Sequence, residues 1–313
     1  YVITKGHRGN DVCFFSRQGK VLNRIHRVGN GPGEYKDIGS MDVNPANGEL
    51  YLKEMNRQQI HVYSLDGKFK HSFTFPEGKR MSRMCLFSPD YLIAEQESKV
   101  PDDQDANFYP YLLVSTRDGH LDSLDYVQKR NILVKLIVNA ENHSYAYLLE
   151  PSLIRNGSRF YIGNPDSDTL FAMNPDRTLE PLLVRTPSHS EEGNKYGLFL
   201  RGAAGAYFFL TKQPMEVPMN SIESLDLKSE EWLYDCRTQE VCRYLLKNKD
   251  DASKRVGGIM FFCYPEDCGL AVLKSEDLMD AYEAGQLSGE LKEIAAGLKA
   301  DDNPVLMLIH FKK

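Results

Sequence analysis

The chain has 313 residues, of which 42% are hydrophobic and 26% charged, with a formal net charge of -6. That composition supports a buried core and excludes global disorder, and its scattered Lys and Arg residues exclude the basic footprint of a nucleic-acid binder. The longest apolar stretches, residues 132–138 and 305–311, fall well short of the roughly 20 residues that a membrane-spanning helix needs.

The first element is strand-like, Tyr1-Val2-Ile3-Thr4, with no leader or cap before it. It reads as a trimmed start, compatible with a removed export signal or lipid anchor. Residues 13–22 give a strand, a turn at Gln18-Gly19 and a second strand. Residues 36–75 then hold short alternating runs separated by Asn44-Pro45-Ala46-Asn47-Gly48, Met55-Asn56-Arg57 and Asp66-Gly67, so four strands fit between three turns. In the last run Phe69, His71, Phe73 and Phe75 share one face and Lys68, Lys70, Ser72 and Thr74 the other, the period of two that marks a strand. Asn-Gly and Asp-Gly suit such turns because both residues tolerate positive φ.

Weaker copies follow over residues 111–124 around Asp118-Gly119, 153–185 with turns at Asn156-Gly157, Asn164-Pro165-Asp166 and Asn174-Pro175-Asp176, and 203–246. The last copy comprises 257–262, 269–274 and 305–312, interrupted by two short helices. Ser275 caps the first before Glu276-Asp277; Ser288 caps the second, whose Leu291, Ile294 and Leu298 recur at helical spacing. About six copies at a spacing of roughly 40 to 55 residues indicate radial repetition. The fold class expected is an all-β, six-bladed β-propeller: one domain over residues 1–313, a helical insertion at about 275–300, and a ring closed by the N- and C-terminal strands, which protects edges an open sheet would expose.

Gly29-Asn30-Gly31-Pro32-Gly33-Glu34-Tyr35 has glycines that let backbone N–H groups approach an anion, but it lacks the Lys-Ser/Thr ending of a P-loop and enters a strand. It reads as an inter-blade turn with Glu34 bonded locally, with Arg24, His26 and Arg27 upstream free to face a channel. Asn164, Asp166 and Asp168 offer oxygens for a hard cation without the Gly and distal Glu of an EF-hand, so turn chemistry is the better reading. Asp102, Asp103 and Asp105 read as a solvated loop. His7, His26, His61, His71, His120, His143, His189 and His310 fall in no nucleophile or metal motif, with His61 and His71 placed in strands. Ser188-His189-Ser190 reads as a polar loop, and Glu191-Glu192 as exposed carboxylates. Tyr145, Tyr147, Tyr196, Phe199, Tyr207, Phe208 and Phe209 offer stacking surfaces, most of them expected in the core. Among the six cysteines, Cys236 with Cys242 and Cys263 with Cys268 are close in sequence, without zinc-knuckle spacing. A bridge between Cys263 and Cys268 across a hairpin is weighed against free thiols, the reading preferred for Cys13 and Cys85. No motif calls for a cofactor or a metal, and no catalytic residue is assigned.

Four features, Gly29 to Tyr35, Asp168-Thr169-Leu170-Phe171 with Leu179-Glu180-Pro181, the hairpin from Tyr234 to Arg243, and Asp302-Asn303-Pro304-Val305-Leu306, together resemble the six-bladed β-propeller proteins of bacterial envelopes. That TolB-like group is related in blade pattern to NHL repeats. The resemblance implies export, to the periplasm or cell surface and often as a lipoprotein, and supplies no catalytic residues. Membrane attachment would then come only through an N-terminal anchor outside this sequence. The function expected is non-catalytic binding of a small molecule, glycan fragment or protein at the channel mouth, through the loops 95–107 and 186–197. The rival is a hydrolase or lyase of glycans or lactones with its site in the central channel.

Overall fold

A computed structural model describes residues 2–5, 10–76, 79–96, 109–124, 133–139, 144–149, 153–163, 167–188, 191, 196–218, 228–255 and 268–311. The chain divides into two compact units, residues 1–131 and 132–313.

The first unit holds three antiparallel sheets whose strands lie in chain order. The first comprises β1 (Val2–Lys5), β2 (Val12–Phe15) and β3 (Val21–Ile25). The second comprises β4 (Ile38–Asn44), β5 (Glu49–Glu54), β6 (Gln59–Ser64) and β7 (Phe69–Thr74). The third comprises β8 (Met81–Ser88), β9 (Tyr91–Gln96), β10 (Tyr111–Ser115) and β11 (Leu121–Ser123). The four strands expected in residues 36–75 are therefore present. Their turns place Gly48 at φ 64° and Gly67 at φ 86°, conformations that cost glycine little.

Apolar faces of neighbouring sheets meet. Val12, Phe14 and Ile25 pack with Tyr35, Ile38, Leu50, Leu52 and Tyr63, while Tyr51, Ile60, Val62 and Phe73 pack with Met84, Leu86, Leu92, Leu112 and Val114 of the third sheet. The second sheet is thus covered on both faces, which is why all six residues of β5 are buried although three are charged. Burial of each large side chain is worth about 1.5–3 kcal/mol. The charged ones are accommodated by partners: Glu49 accepts from Tyr51 Oη at 2.5 Å and from Lys70. Burial would raise the Glu49 pKa, but these two bonds outweigh it and hold the carboxyl below its usual range.

The second unit begins with β12 (Leu133–Asn139) and β13 (Ser144–Leu149). A four-stranded sheet follows: β14 (Leu153–Asn156), β15 (Arg159–Ile162), β16 (Thr169–Met173) and β17 (Leu179–Val184). Then come β18 (Tyr196–Ala204), β19 (Tyr207–Pro214), β20 (Glu216–Pro218), β21 (Glu230–Asp235) and β22 (Glu240–Arg243). Strands β18, β19, β21 and β22 form another four-stranded antiparallel sheet, while β20 leaves it to pair in parallel with β12. This sheet opens at Tyr196, earlier than the expected start at 203, and the 186–197 loop ends correspondingly sooner. Ile154, Tyr161 and Leu170 pack across to Leu200, Ala203, Phe208 and Leu210. Strands β23 (Lys247–Asn248) and β24 (Asp251–Arg255) form a hairpin, and β25 (Cys268–Leu273) pairs with β26 (Val305–His310) around the helices α1 (Ser275–Glu283) and α2 (Gly289–Ala296). The expected strand at 257–262 lies outside the described residues.

Both helices are present, but neither expected serine makes a side-chain capping bond. Ser275 is the first residue of α1, and its hydroxyl reaches back to the carbonyls of Asp302, at 3.1 Å, and Asn303, at 2.8 Å. Ser288 occupies the N-cap position of α2 without a side-chain capping bond; its backbone N–H donates to Asp250 O at 2.8 Å. The buried stripe also differs: Leu291 and Ala295 face Leu278, Ala281 and Leu287, whereas Ile294 is 39% exposed. The helix rotation follows from packing against α1, whose small Ala281 admits Ala295.

Nearly all-β, with two short helices and several four-stranded antiparallel sheets in sequential order, the chain has the blade-type sheets of a β-propeller.

Candidate functional site

A small cleft lies within the second unit, between the sheet of β14 to β17 and the strands β18 and β19. It encloses about 20 Å³ and opens to solvent. Leu170, Leu183, Leu198 and Leu210 form apolar walls, and Ser167, Asp168, Thr169 and Arg185 bring polar groups. Gly163 also borders it, because a Cβ there would meet Leu200 at 2.8 Å.

The β16–β17 hairpin builds the polar side. Its register pairs Met173 with Leu179 and Thr169 with Val184, with one irregularity between Leu170 and Phe171. One step further out, Asp168 and Arg185 stand opposite each other, and Arg185 N–H donates to Asp168 O at 2.7 Å. The Asp168 carboxylate accepts from Ser188 Oγ at 2.5 Å and lies 3.6 Å from Arg185 Nε. Arg185 also donates from Nε to Pro187 O at 3.3 Å and from Nη1 to Tyr196 O at 3.2 Å. The guanidinium thereby ties together the start of the 186–197 loop and the first residue of β18. Its side chain is only 12% exposed, and that of Asp168 26%.

Asp168, weighed above as a cation ligand, is thus engaged by a guanidinium and a hydroxyl; Asn164 and Asp166 lie outside the described residues. Among the described residues, no group of three or more His, Cys, Asp or Glu side chains is arranged to hold a metal ion. Counting outward from the turn at Asn174 to Arg177 would set Asp168 opposite Val184; the irregularity between Leu170 and Phe171 shifts the register by one and brings Arg185 there instead.

The glycine-rich loop closes on itself. Gly31 N–H donates to Glu34 Oε2 at 2.8 Å, Glu34 N–H to Gly31 O at 2.9 Å, and Tyr35 N–H to Arg27 O at 2.9 Å. Gly33 sits at φ 71°, where a Cβ would meet the Phe69 ring at 2.5 Å, and Tyr63 Oη donates to Gly33 O. Tyr35 is fully buried, its hydroxyl donating to Ile25 O at 3.1 Å, and burial pushes its pKa up to about 12. The local role expected of Glu34 is the one observed.

Upstream, Arg24 and His26 both bind Asp11. His26 Nδ1–H donates to Asp11 Oδ1, and this bond, with that from Arg24, holds the Asp11 carboxyl below its ordinary pKa against the opposing effect of burial. The His26 side chain is 62% exposed, and its Nε2 has no partner among the described residues.

Of the other histidines, His61 is buried with Nε2–H donating to the fully buried Glu54 carboxylate at 3.3 Å, His71 packs on Phe73, and His120 lies 3.7 Å from Asp122. His310 Nδ1 is 3.1 Å from Cys268 Sγ. His7, His143, His189, Glu192 and the acidic run Asp102, Asp103 and Asp105 lie outside the described residues, as does most of the 95–107 loop. Glu191 accepts from Ser188 N–H at 3.1 Å. Phe199, Phe208 and Phe209 belong to the core; Tyr207 meets Arg237, and Tyr196 is 44% exposed beneath the Lys212 ammonium at 4.8 Å. The side chains of Tyr145 and Tyr147 are not among those described. Cys268 is buried and forms no disulfide, which removes the bridge weighed to Cys263: its sulfur faces His310 across the β25–β26 pair. Cys13, Cys85, Cys236 and Cys242 form no disulfide either.

The chain belongs to the family described as domain of unknown function DUF4934, whose match spans residues 1–310. Among curated proteins none matches. A solved structure from Bacteroides fragilis, of a protein assigned to export, is similar at a TM-score of 0.68 and 18% identity, covering 97% of this chain and 86% of that one. A DUF4221 family member from Bacteroides vulgatus follows at 0.48 and 9%, covering 76% and 75%. The β-propeller domain of Cps50 (Swd1) from Myceliophteria thermophila gives 0.43 and 12%, covering 85% and 88%.

Proposed function

We propose that this member of the DUF4934 family is an extracytoplasmic binding protein, a six-bladed propeller closed into one ring, that takes a small polar molecule or glycan fragment at the Asp168–Arg185 cleft. The observation that carries the reading is the cleft itself: partly desolvated polar groups over four leucine walls, a few residues from the 186–197 loop. Ligand sites commonly combine such apolar lining with a few fixed polar groups. Four four-stranded antiparallel sheets among the described residues support a repeated blade as the building unit. The likeness to an exported Bacteroides fragilis protein and the TolB-like sequence features support the compartment, on the periplasmic or surface side of the envelope. Membrane attachment in this reading comes only from an N-terminal lipid anchor, and nucleic acid is not a partner.

A thermal-shift screen against mono- and oligosaccharides, cell-wall fragments and divalent metals tests the reading. A ligand at about 100 times its dissociation constant adds about 2.7 kcal/mol, a visible rise in melting temperature. The rise is expected with a polar organic ligand and is expected to vanish when residues 186–197 are replaced by a Gly/Ser linker. An undiminished shift in that variant removes the cleft from the account.

A second reading, a hydrolase or lyase of glycans or lactones, draws on the Asp11–His26 pair. A carboxylate that fixes Nδ1–H leaves Nε2 as an oriented base, the arrangement used in general acid–base catalysis. It requires turnover of a glycan or lactone that falls at least a hundredfold in His26→Ala; turnover unaffected by that change excludes His26 as the base.

A further inference from the structure

Hydrogen-bond capacity in the cleft is unbalanced. The Asp168 carboxylate, its acidic group, already accepts from Ser188 Oγ and faces Arg185 Nε. On the donor side, Arg185 uses Nε and Nη1 on the Pro187 and Tyr196 carbonyls, while Nη2, with two N–H groups, has no partner among the described residues. The Thr169 hydroxyl has none either. Ser167 Oγ accepts from Thr169 N–H at 3.1 Å, which leaves its own proton to give. Four N–H or O–H donors on three lining residues therefore have no protein acceptor among the described residues, and they meet solvent where the cleft opens. A ligand that supplies acceptors takes the place of the water these donors meet.

From this surplus we infer that the cleft is selective for a carboxylate carried on a small organic body. The inference rests on the proposal that the cleft binds ligand, and specifies its chemistry. A carboxylate offers two oxygens in the plane of a guanidinium edge, and charge-assisted bonds of this kind are the strong ones. Thr169 and Ser167, in the segment leading into and opening β16, supply hydroxyls to the same anion. Asp168 limits the charge: among the described lining residues it offsets Arg185, so a monoanion is favoured over a dianion such as a phosphate monoester. The enclosed space is only about 20 Å³, so the leucine walls flank the carbon body where the cleft opens to solvent.

The test pairs acids with their neutral amides, D-glucuronate with D-glucuronamide and L-lactate with L-lactamide, together with methyl glucoside and glucose 6-phosphate. Calorimetry gives affinities, and methyl NMR of Leu170, Leu183, Leu198 and Leu210 reports occupancy of the cleft. At least one acid is expected to bind roughly tenfold or more tightly than its amide, with glucose 6-phosphate weaker than glucuronate. Thr169→Val, which keeps shape and removes only the hydroxyl, is expected to reduce the acid-over-amide ratio several-fold; Arg185→Gln should abolish it. Because Arg185 also braces the loop, the Thr169 variant carries the test if the Arg185 variant fails to fold. Equal binding of acid and amide, or cleft binding by methyl glucoside alone, overturns carboxylate selectivity and leaves the binding-site reading standing. Unmoved leucine methyls with every probe overturn both.

Discussion

The Gly29–Tyr35 loop and the Asp168–Arg185 cleft look alike in sequence, each a polar, turn-rich stretch between strands, yet their hydrogen bonds are spent differently. In the loop they end internally: Glu34 takes the Gly31 N–H, Tyr35 caps the Arg27 carbonyl, and Tyr63 bonds Gly33 O. The glycines are there because side chains have no room. In the cleft, one face of the guanidinium holds the loop and the other has donors left over. A glycine-rich motif can thus be a clasp, and an ordinary Asp and Arg a site, with the difference decided by which donors remain unused.

The largest test of that contrast is Gly33→Val. Positive φ and the Phe69 ring both oppose a side chain, so a loss of about 3 kcal/mol is expected in denaturant unfolding, with ligand affinity at the cleft unchanged in the folded fraction. A fall in affinity would assign the loop a role in binding. Next comes Asp168→Ala, which leaves a mostly buried guanidinium facing only carbonyls; about 1–2 kcal/mol should be lost, discounted for partial exposure. A neutral result would mean that the pair does not brace the hairpin.

A smaller effect is expected at Asp11. Its folded pKa lies below the ordinary carboxylate value, so its stabilisation is present above the unfolded pKa of about 3.9 and is lost as pH falls through the lowered folded value. Wild type should therefore lose more stability than Asp11→Asn on acidification from pH 5 through that range, in chemical denaturation at stepped pH. Parallel curves would show that the Arg24 and His26 contacts contribute nothing net. The smallest stability change belongs to Thr169→Val, within about 0.5 kcal/mol because its hydroxyl has no partner among the described residues. A large destabilisation there would indicate that the hydroxyl already serves the fold.

Much of the architecture was legible because strands carry a period of two and their turns need positive φ. Phe69, His71 and Phe73 alternate with exposed Lys70, Ser72 and Thr74 as read, and Gly48, Gly67, Gly119 and Gly157 all turn the chain. What escaped depends on partners distant in sequence. Ser275 looks like a cap, but the carbonyls of Asp302 and Asn303 compete successfully for its hydroxyl. Ile294 has the right spacing for the buried stripe, yet contact with α1 selects Ala295. The parallel pairing of β20 with β12 joins segments about 80 residues apart and leaves no local pattern. Asp168 was noticed for its oxygens, while Arg185 was passed over because its significance lies in a register and an unpaired Nη2, which only coordinates reveal.

The most direct measurement of the central claim is methyl NMR of the whole protein, titrated with the strongest ligand from the thermal-shift screen. The account predicts that Leu198 and Leu210, with Leu170 and Leu183, shift together and saturably while Leu278 and Leu291 of the helical pair stay fixed. Shifts that cluster anywhere else, with the four cleft leucines unmoved, would contradict it.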